Sequence, residues 1–297
     1  MFSNKWILVL GFVVVCCSSV FGQDPDDGVI RIGVDLVTVN VSVTERKDRL
    51  VRGLKPEDFL VSDEGKRVQL EFFESNGPAS IVFVVDISSS MRGTKWVSLE
   101  QAMKRFLARA RAGSDYTLIV FGDRAELITR SVSADELWRN LEGLRPNGNT
   151  ALYDGVLLGL GALDRLPQRH KALVLLSDGQ DNSSQSDLSQ IQHAALTHRA
   201  TIYAVGLLNR QTDYLPWERE GKQLLDRLAT STGGLKLFPV PEQIESALEK
   251  ITADVSGHYC LSYYPPDGST GWRNIHVGIQ AGSQELNLRY QARYLRR

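Results

Sequence analysis

Residues 81–93, IVFVVDISSSMRG, decide the reading of this chain. Five apolar residues, four of them β-branched, run without a polar break into Asp86. A continuous apolar run of that length suits a strand covered on both faces. Nothing in such a strand requires it to end in an acid followed by three serines. Asp86, Ser88 and Ser90 are either an ordinary strand-to-loop transition or oxygen donors gathered around something.

Outward from this stretch, apolar strands alternate with helices from residue 79 to about residue 256. Residues 95–111 place Trp96, Leu99, Met103, Phe106 and Ala110 on one helical stripe. YTLIVFG, AELITR, HKALVLLSDG, ATIYAVGL and LKLF read as strands. SADELWRNLEGL, GNTALYDGVLLGLGALDRL, DLSQIQHAALTHR, EREGKQLLDRLATSTGG and PEQIESALEKITADV read as helices, the first capped by Ser133 and the last started by Pro241. The pattern predicts an α/β fold, a doubly wound, mostly parallel sheet over residues 79–256. Gly155, Gly159 and Gly161 interrupt one helix and suggest close approach of that helix to the sheet. No Gly-Lys-Ser/Thr phosphate loop accompanies them.

The flanks differ. Residues 23–78 begin with a polar leader, QDPDDG, and continue as β-rich sequence, with DEGK as a hairpin turn. Between residues 30 and 43 the apolar parity switches: Ile30, Ile32, Val34 and Leu36 share one face, and Val37, Val39, Val41 and Val43 the other. One regular half-buried strand forbids that, so a bulge near Leu36 or two separate strands is expected. Residues 257–297 return to strands in HYCLSYY, RNIHVGIQ and QELNLRYQARY. The expectation is a small β-rich subdomain built from both flanks, with 257–297 packing against 29–75.

Residues 1–22 read as a secretory signal: Lys5, then the apolar WILVLGFVVVCC, then SVFG with small residues at the cleavage positions. The run is short for a membrane span, so membrane contact is expected only if it is retained as an anchor. Its loss removes Cys16 and Cys17 and leaves Cys260 alone, which excludes an intramolecular disulfide and cysteine-based metal chemistry. The formal net charge of −1 becomes −2 without Lys5, and neither value points to nucleic acid. The expected location is secreted, periplasmic or cell envelope.

Three loops at the expected carboxyl ends of strands, where open α/β sheets bind ligands, carry oxygen groups. Asp86, Ser88 and Ser90 follow one strand, Asp178 follows another, and Thr150 opens a helix between them. Neutral hydroxyls with two carboxylates suit a hard divalent cation, Mg²⁺ first and Mn²⁺ or Ca²⁺ next, and argue against zinc. Taken singly, each has a plainer role: Ser88 and Ser90 in a turn, Thr150 as an N-cap, Asp178 as a turn residue before glycine. Asp154 and Asp181 are nearby acids that either tune the site from outside the ligand set or simply end helices.

The order Asp-x-Ser-x-Ser at 86–90, with Thr150 and Asp178 on later loops, resembles the metal-ion-dependent adhesion site of the von Willebrand factor type A (VWA) domain. The resemblance covers roughly residues 79–256, and all five motif positions match. Residues 34–74 and the later YCLSYYPPDG are similar to a group of secreted bacterial proteins called VWFA-related, common in acidobacteria. The resemblance implies a Rossmann-like fold and a cation held directly by Ser88 and Ser90. It implies that Thr150 joins them in the ligand-bound form, while Asp86 and Asp178 bind directly or through water. A further coordination position would take an acidic side chain of a partner protein. A structural component of the envelope, in which the ion only orders the loops, is the other non-enzymatic reading. An enzyme is not expected. His170, His193, His198, His258 and His276 are not tied by sequence to the serine loop, and the loop lacks the second aspartate of a phosphotransfer site. A metal-assisted hydrolase ranks last.

Overall fold

The computed structural model describes residues 36–207, 216–280 and 286–296; the expected signal segment and the Ile30 end of the parity switch lie outside them. Along the chain the elements are β1 (Val37–Glu45), β2 (Arg49–Leu50), β3 (Phe59–Asp63), β4 (Lys66–Arg67), β5 (Phe72–Ser75), β6 (Ala79–Asp86) and α1 (Thr94–Ala108). There follow β7 (Asp115–Phe121), β8 (Ala125–Val132), α2 (Ala134–Leu141), α3 (Leu152–Leu163), β9 (His170–Ser177), α4 (Leu188–Thr197) and β10 (Thr201–Gly206). The last are α5 (Pro216–Ser231), β11 (Lys236–Leu237), α6 (Ile244–Gly257), β12 (Tyr259–Tyr263), β13 (Gly271–Ile279), β14 (Asn287–Arg289) and β15 (Arg293–Arg296).

The central sheet runs β11-β10-β9-β6-β7-β8, and only the edge strand β8 is antiparallel to its neighbour. Every residue of β6 is buried, because both faces of the sheet are covered. Alternation sends Ile81, Phe83 and Val85 to one core with Leu99, Met103, Phe106, Leu137, Leu248 and Ile251 of α1, α2 and α6. Val82 and Val84 go to the other, with Val156, Leu160, Ile191, Leu225 and Leu228 of α3, α4 and α5. The fold is therefore α/β and doubly wound. Of the three helix glycines, two are close-packed: a Cβ at Gly159 would meet Val84 at 2.7 Å, and one at Gly155 would meet Phe121 at 2.8 Å. Gly161 faces open space, so close approach does not explain it.

The chain leaves β6 to form β7 on one side and returns to place β9 on the other. The carboxyl ends of β6 and β9 thus flank a topological switch point, the crevice where such sheets bind ligands. Asp86 ends β6, and Asp178 directly follows β9.

The flanking strands form two further sheets around a shared apolar core. β1 pairs with β12, β2 and β14, and β12 with β5, all antiparallel; the second sheet runs β15-β13-β3-β4. Val37, Val39, Val41 and Val43 face Phe59, Val61, Leu261, Ile275 and Val277 in that core. The β3–β4 hairpin turns through Glu64 and Gly65, both at positive φ, as a two-residue turn matched to strand twist requires. The segment QELNLRYQARY, read as one strand, is two strands in different sheets. The Ala292 carbonyl accepts from Ile275 N, and buried Gln291 reaches the Leu196 and Arg293 carbonyls as the chain crosses between sheets. The opposite face of β1 meets α6, where Ser42 donates to Asp254 at 2.8 Å.

Candidate metal centre

Asp86 is fully buried. Its Oδ1 accepts from the Ser88 N–H at 2.9 Å, and its Oδ2 accepts from the Ser177 hydroxyl at 2.8 Å. Ser177, the last residue of β9, in turn accepts from Gly179 N–H at 2.9 Å, which locks the loop around Asp178. Burial, and then the charge of Asp178, push the Asp86 carboxyl up to about 6, against the opposing hydrogen bonds of Ser88 and Ser177.

Asp178 is also buried. Its Oδ2 lies 3.4 Å from the Lys95 ammonium, and its Oδ1 is buried with no hydrogen-bond partner. A buried orphaned carboxylate oxygen costs free energy unless a donor or cation meets it. Gly179 follows at φ +84, and a Cβ there would sit 2.8 Å from the backbone of Gly221. Only glycine allows this backbone shape together with the contact to α5.

The Ser88 and Ser90 hydroxyls are 2.9 Å apart, Ser88 buried and Ser90 exposed. Ser89 is exposed, and its N–H donates to the Gly148 carbonyl at 3.0 Å. Met91, fully buried, anchors the loop in the core below. The loop carrying Thr150 is stapled to the serine loop by Ser89 to Gly148 and by Asn147 N–H to the Ile87 carbonyl at 2.6 Å. Thr150 is buried; its N–H donates to Asn182 Oδ1 at 2.8 Å, and its carbonyl accepts from the Asn182 and Ser183 amides. Thr150 does not cap α3. Ala151 takes the N-cap position, without a side-chain cap, because the chain bends one residue later than the sequence suggests.

Asp86, Ser88 and Ser90 are thus joined directly. Asp178 is tied to them through Ser177, and Thr150 lies on the loop fastened beside them. Asp154 and Asp181 are not hydrogen-bonded to any of the five. Asp154 accepts from the Gln185 and Ser186 amides, both at 3.0 Å, and Asp181 accepts from Tyr153 N–H and the Ser184 hydroxyl. Burial works against the Asp154 charge, but the bonds from Ser186 and Gln185 outweigh it and hold its pKa below the usual carboxylate value. Both acids pin the 181–186 loop to the first turn of α3, and so position Asn182 against Thr150. A cavity of about 420 Å³ adjoins this loop, walled in part by Tyr153, Asp181, Glu220 and Arg227.

Two residues essential to this geometry escaped the sequence reading. Ser177 had a weak signal, a hydroxyl ending an otherwise apolar strand. Lys95 had one too, a cation in the first turn of a helix, where acids are favoured. Among the described residues no cluster of three His, Cys, Asp or Glu side chains exists. The hydroxyls and two carboxylates gathered here would suit a hard cation, and the orphaned oxygen of Asp178 would fit such an ion.

Residues 81–180, which contain Asp86, Ser88, Ser90, Thr150 and Asp178, match the family model of the von Willebrand factor type A domain. Residues 81–180 thus carry a VWA domain. Inter-alpha-trypsin inhibitor heavy chain H1 of Sus scrofa is 29% identical over 143 residues, which is 43% of this chain and 16% of that protein. The chain thus spans about a sixth of the length of that relative. Among solved structures, the von Willebrand factor type A protein from Catenulispora acidiphila aligns with TM-score 0.51 at 14% identity, over 88% of this chain and 73% of its own. Proximal thread matrix protein 1 from the mussel byssus, described with a zinc-occupied MIDAS motif, aligns with TM-score 0.52 at 20% identity, over 66% of this chain and 50% of its own. These structural likenesses show the VWA fold.

Proposed function

We propose that this VWA domain is an extracytoplasmic adhesion-type module that holds one divalent cation and uses it to grip an acidic side chain of a partner protein. Ser88, Ser90 and Thr150 supply neutral oxygen, and Asp86 and Asp178 supply charge. The bound ion supplies Lewis-acid affinity for a carboxylate. The chain's own part is to hold these donors rigid. Ser177 orients Asp86, Gly179 lets the Asp178 loop seat against α5, and Asn182 fixes the Thr150 backbone. The observation that carries the reading is the buried, unpartnered Oδ1 of Asp178 close enough to Asp86 to raise its pKa. Mg²⁺ is the preferred ion for an all-oxygen set, with Mn²⁺ and Ca²⁺ next. Zinc belongs in the same titration, because a relative of this fold is described with zinc at its site.

An ion that merely orders the loops is the weaker reading, since the protein already staples them through Asn147, Ser89 and Thr150. Among the described residues no histidine is hydrogen-bonded to Ser88 or Ser90. His258 instead bonds Tyr203 and Asp254, and His198 bonds Asp164. The strands β1–β5 and β12–β15 serve as a β-sandwich support for the binding domain, and the signal-like residues 1–22 deliver it across the membrane. No described helix is long and apolar enough to cross a membrane. The test is capture from an envelope extract with Mg²⁺ or EDTA, by the wild type and by Ser88→Ala and Asp86→Ala. Partners retained only with Mg²⁺ and only by the wild type support the module. Full retention by Asp86→Ala, with its ion lost, overturns it.

A further inference from the structure

The sequence count of two carboxylates against one divalent ion is incomplete, because Lys95 stands in the same cluster. Its ammonium lies 3.4 Å from Asp178 Oδ2, and its side chain is 11% exposed. Its place is unfavourable on two counts. It is buried, and it is the second residue of α1, whose N-terminal end repels cations and whose first turn carries no acid. Among the described ion pairs its partner is Asp178, the residue whose other oxygen is orphaned. A lysine held there against both preferences acts on the charge of the site.

We infer that Lys95 couples the two ligands of the site, weakening the cation alone and favouring the cation together with an anionic ligand. The inference rests on the metal reading above. With Asp86 and Asp178 ionised, Lys95 leaves the donor cluster at net −1. A divalent ion turns it to +1, and one carboxylate from a partner brings it to zero. Unbalanced buried charge is costly, so the ion and the carboxylate each raise the other's affinity. A site with two acids and no lysine is already neutral with the ion and gains less from an anion. Lys95 is in this sense a specificity-determining residue for an acidic ligand, distinct from the ion's ligands.

The experiment titrates Mg²⁺ into the full chain by calorimetry, for wild type, Lys95→Met, Lys95→Arg and Asp178→Ala. Each titration is run in chloride and in acetate of matched ionic strength, acetate being the carboxylate probe. Melting with EDTA and with Mg²⁺ accompanies each, so that a variant folding poorly without the ion is still scored by its Mg²⁺-induced shift. Lys95→Met is expected to bind Mg²⁺ at least about tenfold more tightly than wild type in chloride, since it removes one unit of nearby positive charge. It is also expected to show a larger Mg²⁺-induced melting shift and to gain less from acetate. Lys95→Arg should behave as wild type. Equal or weaker Mg²⁺ binding by Lys95→Met overturns the coupling while leaving the metal site standing. No Mg²⁺ uptake by wild type, or uptake undiminished in Asp178→Ala, overturns the metal reading and the coupling with it.

Discussion

Asp86→Asn should make folding stability more sensitive to acid, although it removes an acid from the core. Two shifted groups among the described residues change charge between pH 4 and 7. Asp86 stands at about 6 instead of 3.8, through burial and then Asp178. His170 stands at about 4 instead of 6.5, through burial and then the charges of His258 and Arg111. Asp86, with its folded pKa raised, contributes stability at low pH that is lost as pH rises through 6. His170, with its folded pKa lowered, contributes stability above 6.5 that is lost as pH falls toward 4. From pH 7 to pH 5 the first adds about 1.3 kcal/mol and the second removes about 1.8 kcal/mol, so the wild type changes by only about 0.5 kcal/mol. In Asp86→Asn the compensation is gone and the loss becomes about 1.8 kcal/mol. His170→Gln should do the reverse and gain about 1.3 kcal/mol over the same interval. Urea unfolding in EDTA, followed by tryptophan fluorescence at pH 7 and pH 5, reads all three. An Asp86→Asn protein no more acid-sensitive than the wild type would refute the reasoning.

Other consequences concern loop geometry and the join between the domain and its β support. Ser88→Ala should weaken Mg²⁺ binding about tenfold or more, one lost ligand being worth at least 1.4 kcal/mol, while Ser89→Ala leaves it within about twofold, by calorimetry. Gly179→Ala should lose about 1–2 kcal/mol of stability to backbone strain alone, and Mg²⁺ affinity with it, because the new Cβ pushes on Gly221. Asp254, buried in α6, accepts from Ser42 of β1, Arg289 of β14, Tyr203 and His258. Asp254→Ala strands those groups and should cost about 3–5 kcal/mol in urea unfolding, which makes it the most damaging of these changes.

The α/β class was legible because β6 and β9 are covered on both faces and so are apolar without interruption. The bonds among Asp86, Ser88 and Ser90 were legible because they span only two residues. The contacts that complete the cluster were not. Ser177 meets Asp86 across 91 positions and Lys95 meets Asp178 across 83, distances over which no periodicity or motif reports. Thr150 fitted the residue preference of an N-cap, but its backbone is held by Asn182, a tertiary contact that shifts the cap to Ala151. The division of residues 287–296 between two sheets was hidden for a similar reason. Alternation in β14 and β15 looks continuous, and the crossing between sheets is made by the buried amide of Gln291.

The central claim is that this cluster holds a cation. Electron paramagnetic resonance of Mn²⁺ titrated into the full chain, with Asp178→Ala alongside, tests it most directly. The free-ion signal should be suppressed up to one Mn²⁺ per wild-type chain, be restored by excess Mg²⁺, and stay unsuppressed with Asp178→Ala. An identical titration curve for the two proteins would contradict the claim.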